Sequence, residues 1–365
     1  MKNRFKNLMF LAVLAIAFTA CDDSNDPVPA PVEPAVSYIV NYGGYTNDKS
    51  TITSFNKETA TATNNVYELI NGVPMTSNAQ YALSYNGKVY LMGNNADQIF
   101  WVNDETFEQT ENALTTDIVK PRFAVATGNY MYVSCWGGDV WMDASVSYIA
   151  KVNLTTHTVE KKIALPGGPE GLEIVNNKLY AALNYDDKVA VIDLGTEALT
   201  YIQLPAGNIP SYFEKDNSNN LYVVLGVAYG DATTQTGIGY INTTTNEVEA
   251  TYALDGVSSM AYVNIMEPND DFSKLYVMTS VMDANWNVRG SIAVFDVASK
   301  SFESTNLVDG VQGINGVDFY NDRVFCFISN GATAKGKAIT YQTDGTVDIE
   351  FETGIAPFML FTVED

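Results

Sequence analysis

The residues best suited to chemistry in this chain are aromatic, and they sit in loops. Tyr42-Gly43-Gly44-Tyr45, Trp136-Gly137-Gly138-Asp139-Val140-Trp141, Tyr229-Gly230-Asp231 and the stretch from Asp283 through Trp286 to Arg289 each interrupt apolar runs. Three of the four tryptophans lie in these loops; the fourth, Trp101, does not. A second set of connections adds Lys120-Pro121-Arg122-Phe123, Pro169-Glu170, Pro210-Ser211-Tyr212-Phe213, Ser258-Ser259-Met260 and Ile314-Asn315, and Tyr185 tips a short loop of its own. Large rigid rings with polar handles, gathered on loops, are the composition of a ligand-binding surface. Arg122 and Arg289, two of only four arginines, also lie in these connections and loops.

The same residues assemble no nucleophilic machinery. The single histidine, His157, permits no Ser-His-Asp or Cys-His arrangement, and it has no cysteine or histidine nearby with which to hold zinc. It follows a polar turn and is expected to face solvent. There is no G-x-S-x-G elbow and no phosphate-cradling glycine loop leading into a helix. Carboxylates are what remain, with Glu170 and Asp139 as the candidates near the aromatic loops.

The elements that must position these loops are short strands. Residues 168–204 contain four of them in succession, apolar runs of Val, Ile, Leu and Tyr separated by Asn, Asp and Gly turns. So small a meander cannot bury its faces alone and needs like neighbours. An aromatic on the second strand marks each unit: Tyr38, Tyr90, Tyr132, Tyr180, Tyr222, Tyr276 and Phe325, at intervals of 42 to 54 residues. Seven marks of that period predict an all-β, seven-bladed β-propeller of four-stranded blades. The third strands recur as well and end in Asn or Asp before a Thr-rich turn, chemistry that suits a tight hairpin. The chain begins its first blade at a second strand and ends on the apolar run Pro357-Phe358-Met359-Leu360-Phe361. Ring closure by the C-terminal run, with residues 359–363 paired to residues 38–41, removes an open sheet edge.

In a propeller the 2–3 loops and the 4–1 connections share one face, so the aromatic loops are expected together on one rim. The expected rim set is Tyr42, Tyr45, Arg122, Phe123, Trp136, Trp141, Glu170, Tyr185, Tyr212, Phe213, Tyr229, Met260, Trp286, Arg289 and Asn315.

The ends and the composition set the context. Residues 1–20 carry Lys2, Arg4 and Lys6 ahead of an apolar core too short to span a bilayer, as a signal peptide does. Phe18-Thr19-Ala20-Cys21 resembles a bacterial lipobox, which makes Cys21 the expected lipidation site. The acidic run at 22–26 resembles a surface-export signal, and PVPAPVEP reads as a stiff spacer, so residues 21–36 form a tether to a body at 37–365. The formal net charge is −23, and losing the signal makes it three units more negative, a surface that repels nucleic acid and anionic membrane. Cys135 and Cys326 fall within apolar strands of different units and are expected as buried free thiols.

The unit PEGLEIVNNKLYAALNYDDKVAVIDL resembles the YncE-like propeller family, and the opening SYIVNYGGYTNDKSTITSFN resembles Bacteroidetes-type surface lipoproteins of unknown function. Within that group the chain is most similar to the BtuG-type proteins. The resemblance implies a binding protein with no intrinsic cofactor or metal, lipid-anchored in the outer membrane and facing the exterior. It implies capture of cobalamin as ligand and its transfer to a TonB-dependent outer-membrane transporter. The residues are compatible with such a ligand, a large amphipathic disc with peripheral amides and one phosphodiester. Tyr and Trp would cover its faces, Asn, Ser and backbone groups would bond the amides, and Arg122 and Arg289 would reach the phosphate or amide oxygens. No rim histidine is available to cobalt. Two other classes compete: a glycan- or protein-binding scaffold, and a calcium-dependent lactonase-like hydrolase using Glu170, Asn184 and Asn315.

Overall fold

Each recurring aromatic sits on the second strand of its own antiparallel sheet, and seven such sheets form a ring. The computed structural model describes residues 37–44, 49–56, 59–258, 264–285 and 287–363; Cys21, Tyr45, Met260 and Trp286 lie outside them, as do the expected signal and tether. Blade 4 is the regular case, with strands Pro169–Val175, Lys178–Leu183, Lys188–Asp193 and Leu199–Gln203 running from the channel outward. Its second strand, KLYAAL, is buried on both faces, because blades flank it on either side. The apolar core is accordingly divided among the blade interfaces: Tyr132 and Ile149 of blade 3 meet Leu179 and Ala181 of blade 4, and Tyr180 and Val191 meet Val223 and Leu225 of blade 5.

The ring closes as the leftover apolar run predicts. Pro357–Thr362 becomes the inner strand of blade 1, with Tyr38 opposite Phe361, Ile39 opposite Leu360 and Val40 opposite Met359. Blade 2 departs from the pattern. After Ala79–Tyr85, Lys88–Gly93 and Gln98–Asn103, its fourth strand is reduced to one bridge, in which Ile99 and Leu114 exchange backbone bonds of 2.9 and 2.8 Å. The intervening ETFEQTENA is too polar to fill a half-buried strand.

The Thr-rich turns do what their chemistry suggests. In six blades the Asn or Asp ending the third strand accepts the backbone N–H three residues on, at 2.6–3.2 Å. The residue that follows lies in the left-handed region: φ is 59° at Phe107, 49° at His157, 60° at Glu197, 55° at Asn246 and 54° at Lys300. That conformation turns its side chain back onto the preceding blade. Phe107 stacks on Tyr38 of blade 1 at 4.5 Å, and Asn246 accepts from the Tyr180 hydroxyl of blade 4 at 2.7 Å. His157 is the same staple between blades 3 and 2, its ring 4.1 Å from that of Trp101. The expectation of a solvent-facing histidine is therefore corrected: its side chain is only 18% exposed, with Nδ1 3.1 Å from Glu111.

Cys135 and Cys326 are buried and unbridged, and burial pushes both thiols up to about 12. No helix among the described residues is long and apolar enough to cross a membrane.

Candidate ligand-binding cavity

The inner strands decide which side chains reach the channel, and a repeated irregularity re-aims them. Bulges occur between Ala79 and Ala82, Pro121 and Ala124, Pro169 and Leu172, and Pro210 and Phe213. Proline opens two of these strands and stands third in another, tolerated because the channel side of an inner strand has no ladder to donate to. A bulge places two residues against one and bends the strand. Consecutive residues can then serve different ends of the channel. Gln80 and Arg122 line a cavity at the loop face, while Tyr81 and Phe123 line another below it.

The upper cavity measures about 1130 Å³. Tyr42 and Gly43 of blade 1, Asn94 of blade 2, Trp136 and Trp141 of blade 3, and the 2–3 and 4–1 segments of blades 6 and 7 surround it, including Asn315. Trp136 and Trp141 meet edge to face at 6.4 Å, and Tyr185 of blade 4 stands edge-on to Trp136 at 5.8 Å. Lys120 lies 4.7 Å above the Trp141 ring and pairs with Asp139.

Arg122 forms the floor, 7% exposed. Its guanidinium stacks 3.9 Å from the Trp136 ring, Nε and Nη2 donate to Glu170 at 2.9 and 2.7 Å, and Nη1 donates to Gln80 at 3.0 Å. Burial raises the affinity of Glu170 for a proton, against the opposing pull of Arg122. The pair is a neutral, fixed unit. Asn184 and Asn315 donate to the carbonyls of Pro210 and Pro357 at 3.2 and 2.8 Å. No group of three or more His, Cys, Asp or Glu among the described residues is arranged to share a metal ion.

Three of the expected rim residues lie elsewhere. Phe123, Tyr212 and Phe213 line the lower cavity, of about 310 Å³, where Phe123 stacks on Tyr81 at 3.8 Å and Tyr212 accepts from the Met266 N–H. The bulge after the proline is the cause, since it turns these positions down the channel. Tyr229 is 68% exposed on the same face as the upper cavity but is not among its lining residues, nor is the exposed Arg289. Gly171 holds the corresponding place in blade 4, where a Cβ would come within 2.1 Å of Tyr212.

The lower channel carries a feature that the loops concealed. The residue opposite each aromatic mark is Glu173, Glu214, Glu267 and Asp318 in blades 4 to 7, and Phe361, Leu83 and Val125 in blades 1 to 3. Four blades present an acidic side chain at this level and three an apolar one. Burial, then mutual repulsion, pushes Glu214 and Glu267 well above the usual carboxylate range. Burial raises Asp318 to about 7, although it accepts from Leu360 N–H at 2.8 Å and from Asn264 at 2.6 Å. The sequence signal was a carboxylate on the strand just before each of the last four marks.

Residues 36–209 match a family model described as a domain of unknown function, DUF5074. No protein among those of curated function matches the chain. Solved structures are similar in fold. A candidate 6-phosphogluconolactonase from Bacteroides fragilis has 14% identity and a TM-score of 0.65 over 92% of this chain and 100% of its own. A second, from Bacteroides uniformis, has 12% identity and a TM-score of 0.65 over 91% and 100%. A protein of unknown function from Desulfotomaculum acetoxidans has 11% identity and a TM-score of 0.62 over 90% and 99%.

Proposed function

We propose that this propeller is a surface capture protein for a corrinoid of the cobalamin class, held in the upper cavity and passed to a TonB-dependent outer-membrane transporter. The observation that carries the reading is the cavity. At about 1130 Å³ it exceeds the roughly 300–1,000 Å³ of ordinary small-molecule pockets. Tryptophan forms one wall, and Asn287, Gln312 and Asn330 bring amides to the other. That pairing suits a large amphipathic ligand with amides around its edge.

The charges refine the reading. Arg122 is committed to Glu170 and Gln80, so it supports Trp136 rather than serving as a phosphate anchor. Arg289 beyond the margin supplies positive charge for a phosphodiester, joined by Lys120 beside Trp141 where the ligand displaces its exposed partner Asp139. No described histidine lines the cavity, so the cobalt arrives with its own ligands. In this reading the protein binds rather than converts its ligand, and a lipid on Cys21 holds it on the outer membrane facing outward.

Mixing the purified protein with cyanocobalamin and passing it through a desalting column tests the proposal. Red colour should travel with the protein, and colourless protein overturns the reading. Trp141 is 56% exposed, so Trp141→Ala should leave the melting temperature unchanged. It should weaken binding by about 2 kcal/mol, roughly thirtyfold, in a calorimetric titration.

A further inference from the structure

A second cavity, of about 680 Å³, opens on the outer wall where blade 2 lacks its fourth strand. Between the bridge at Leu114 and the bond from Asn103 N–H to the Glu108 carbonyl, the chain leaves the edge of Gln98–Asn103 uncovered. Trp101, Glu111, Asn112, Asp117 and His157 line the gap together with five threonines. Two of the four buried side-chain polar atoms without a hydrogen-bond partner among the described residues belong to this wall, Trp101 Nε1 and His157 Nε2. Trp101 itself is 4% exposed. Its indole N–H lies near enough to Glu111 to favour the charged carboxylate, but outside hydrogen-bonding geometry.

The two unpartnered atoms are complementary. Nδ1 of His157 faces Glu111 at 3.1 Å, which places its proton there and leaves Nε2 as an acceptor. Burial favours this neutral imidazole. Trp101 Nε1 can only donate. A buried donor and a buried acceptor on rings 4.1 Å apart call for a group that does both, which is a hydroxyl. The carboxylates are matched by lysine, Glu111 with Lys88 and Asp117 with Lys162, both at 2.7 Å, so the wall does not require an ionic ligand.

We propose that this groove is a second binding site, for a neutral polyhydroxyl ligand such as a saccharide. One ligand hydroxyl accepts from Trp101 Nε1 and donates to His157 Nε2, and the threonines and Asn112 bond its neighbours. The inference is independent of the corrinoid reading.

The test uses the mature chain on an array of neutral and charged saccharides, beside two variants. Trp101→Phe keeps a ring in the core and deletes the N–H. His157→Asn keeps the left-handed turn, since Asn246 occupies the same position in blade 5 at φ 55° against 49°. The wild type should retain a neutral saccharide, and either variant should bind it five- to tenfold less tightly, about one hydrogen bond's worth. Because His157 is the only histidine, its imidazole proton resonance should shift when the retained saccharide is added to the untagged protein. Retention of no neutral saccharide, retention that both variants leave unchanged, or an unmoved resonance overturns the proposal.

Discussion

At the scale of single residues, the decisive pair is Arg122 and Glu170, 7% and 3% exposed. Removing one partner of a buried ion pair strands the other charge, at a cost of about 3–5 kcal/mol, whereas replacing both by apolar residues is often neutral. Glu170→Gln should therefore lower stability in urea denaturation at neutral pH by about 3 kcal/mol. The same change in an Arg122→Met background should cost less than about 1 kcal/mol, since no charge is left behind. Equal losses in both backgrounds would mean that water entering through the cavity solvates Arg122, and that the floor is not the fixed unit described above. The sequence had marked both residues as separate rim contacts. That they bond each other depends on which way two neighbouring inner strands turn their side chains, and no local pattern encodes that.

At the scale of the element, the inner strand explains both what was legible and what was not. The second-strand aromatics gave the blade count because their pattern is local and recurs. The third-strand Asx and Thr turns were legible for the same reason. Tyr212, Phe213 and Phe123 line the lower cavity and not the loop face because a bulge, invisible in composition, moves the facing of a strand by one residue. The inner strands of blades 5 to 7 carry Glu214, Glu267 and Asp318 into one channel, and this makes stability depend on pH. A carboxyl whose folded pKa lies above its unfolded value keeps its proton longer in the ring than in the unfolded chain. Its stabilising contribution is complete below about 4 and declines as pH rises toward the folded value, at about 1.4 kcal/mol per pH unit for each proton held. For Asp318 that window runs from the ordinary carboxyl value of 3.8 to about 7, and for Glu214 and Glu267 it extends well above 4.5. The melting temperature should accordingly peak near pH 5 and fall toward pH 8. Glu214→Gln with Glu267→Gln should flatten that fall and raise the melting temperature at pH 8. A double variant with the wild-type profile would mean that water or a counter-ion already screens the arc.

At the scale of the whole molecule, stability is distributed among blade interfaces, so the ring depends on its last junction as much as on any other. The chain contributes that junction from its two ends: Phe325, Phe327 and Ala338 of blade 7 pack with Ile39, Phe55 and Leu360 of blade 1. The inner strand Pro357–Thr362 is paired along Ser37–Asn41, and Asp318 of blade 7 accepts the Leu360 N–H across the boundary. Without that strand, Ser37–Asn41 presents an unpaired and wholly buried edge to solvent, the kind of edge that recruits another chain. A chain ending at Ile355 should therefore be insoluble or form large assemblies, as measured by gel filtration. A chain ending at Val363 keeps the whole strand and should elute as the full-length protein does, with the same melting temperature. The comparison separates closure from a general intolerance of shortening, because the two chains differ only by the strand and its immediate flanks. A soluble, cooperatively melting chain ending at Ile355 would mean that six blades and a partial seventh suffice, and that the C-terminal strand serves the channel rather than the ring.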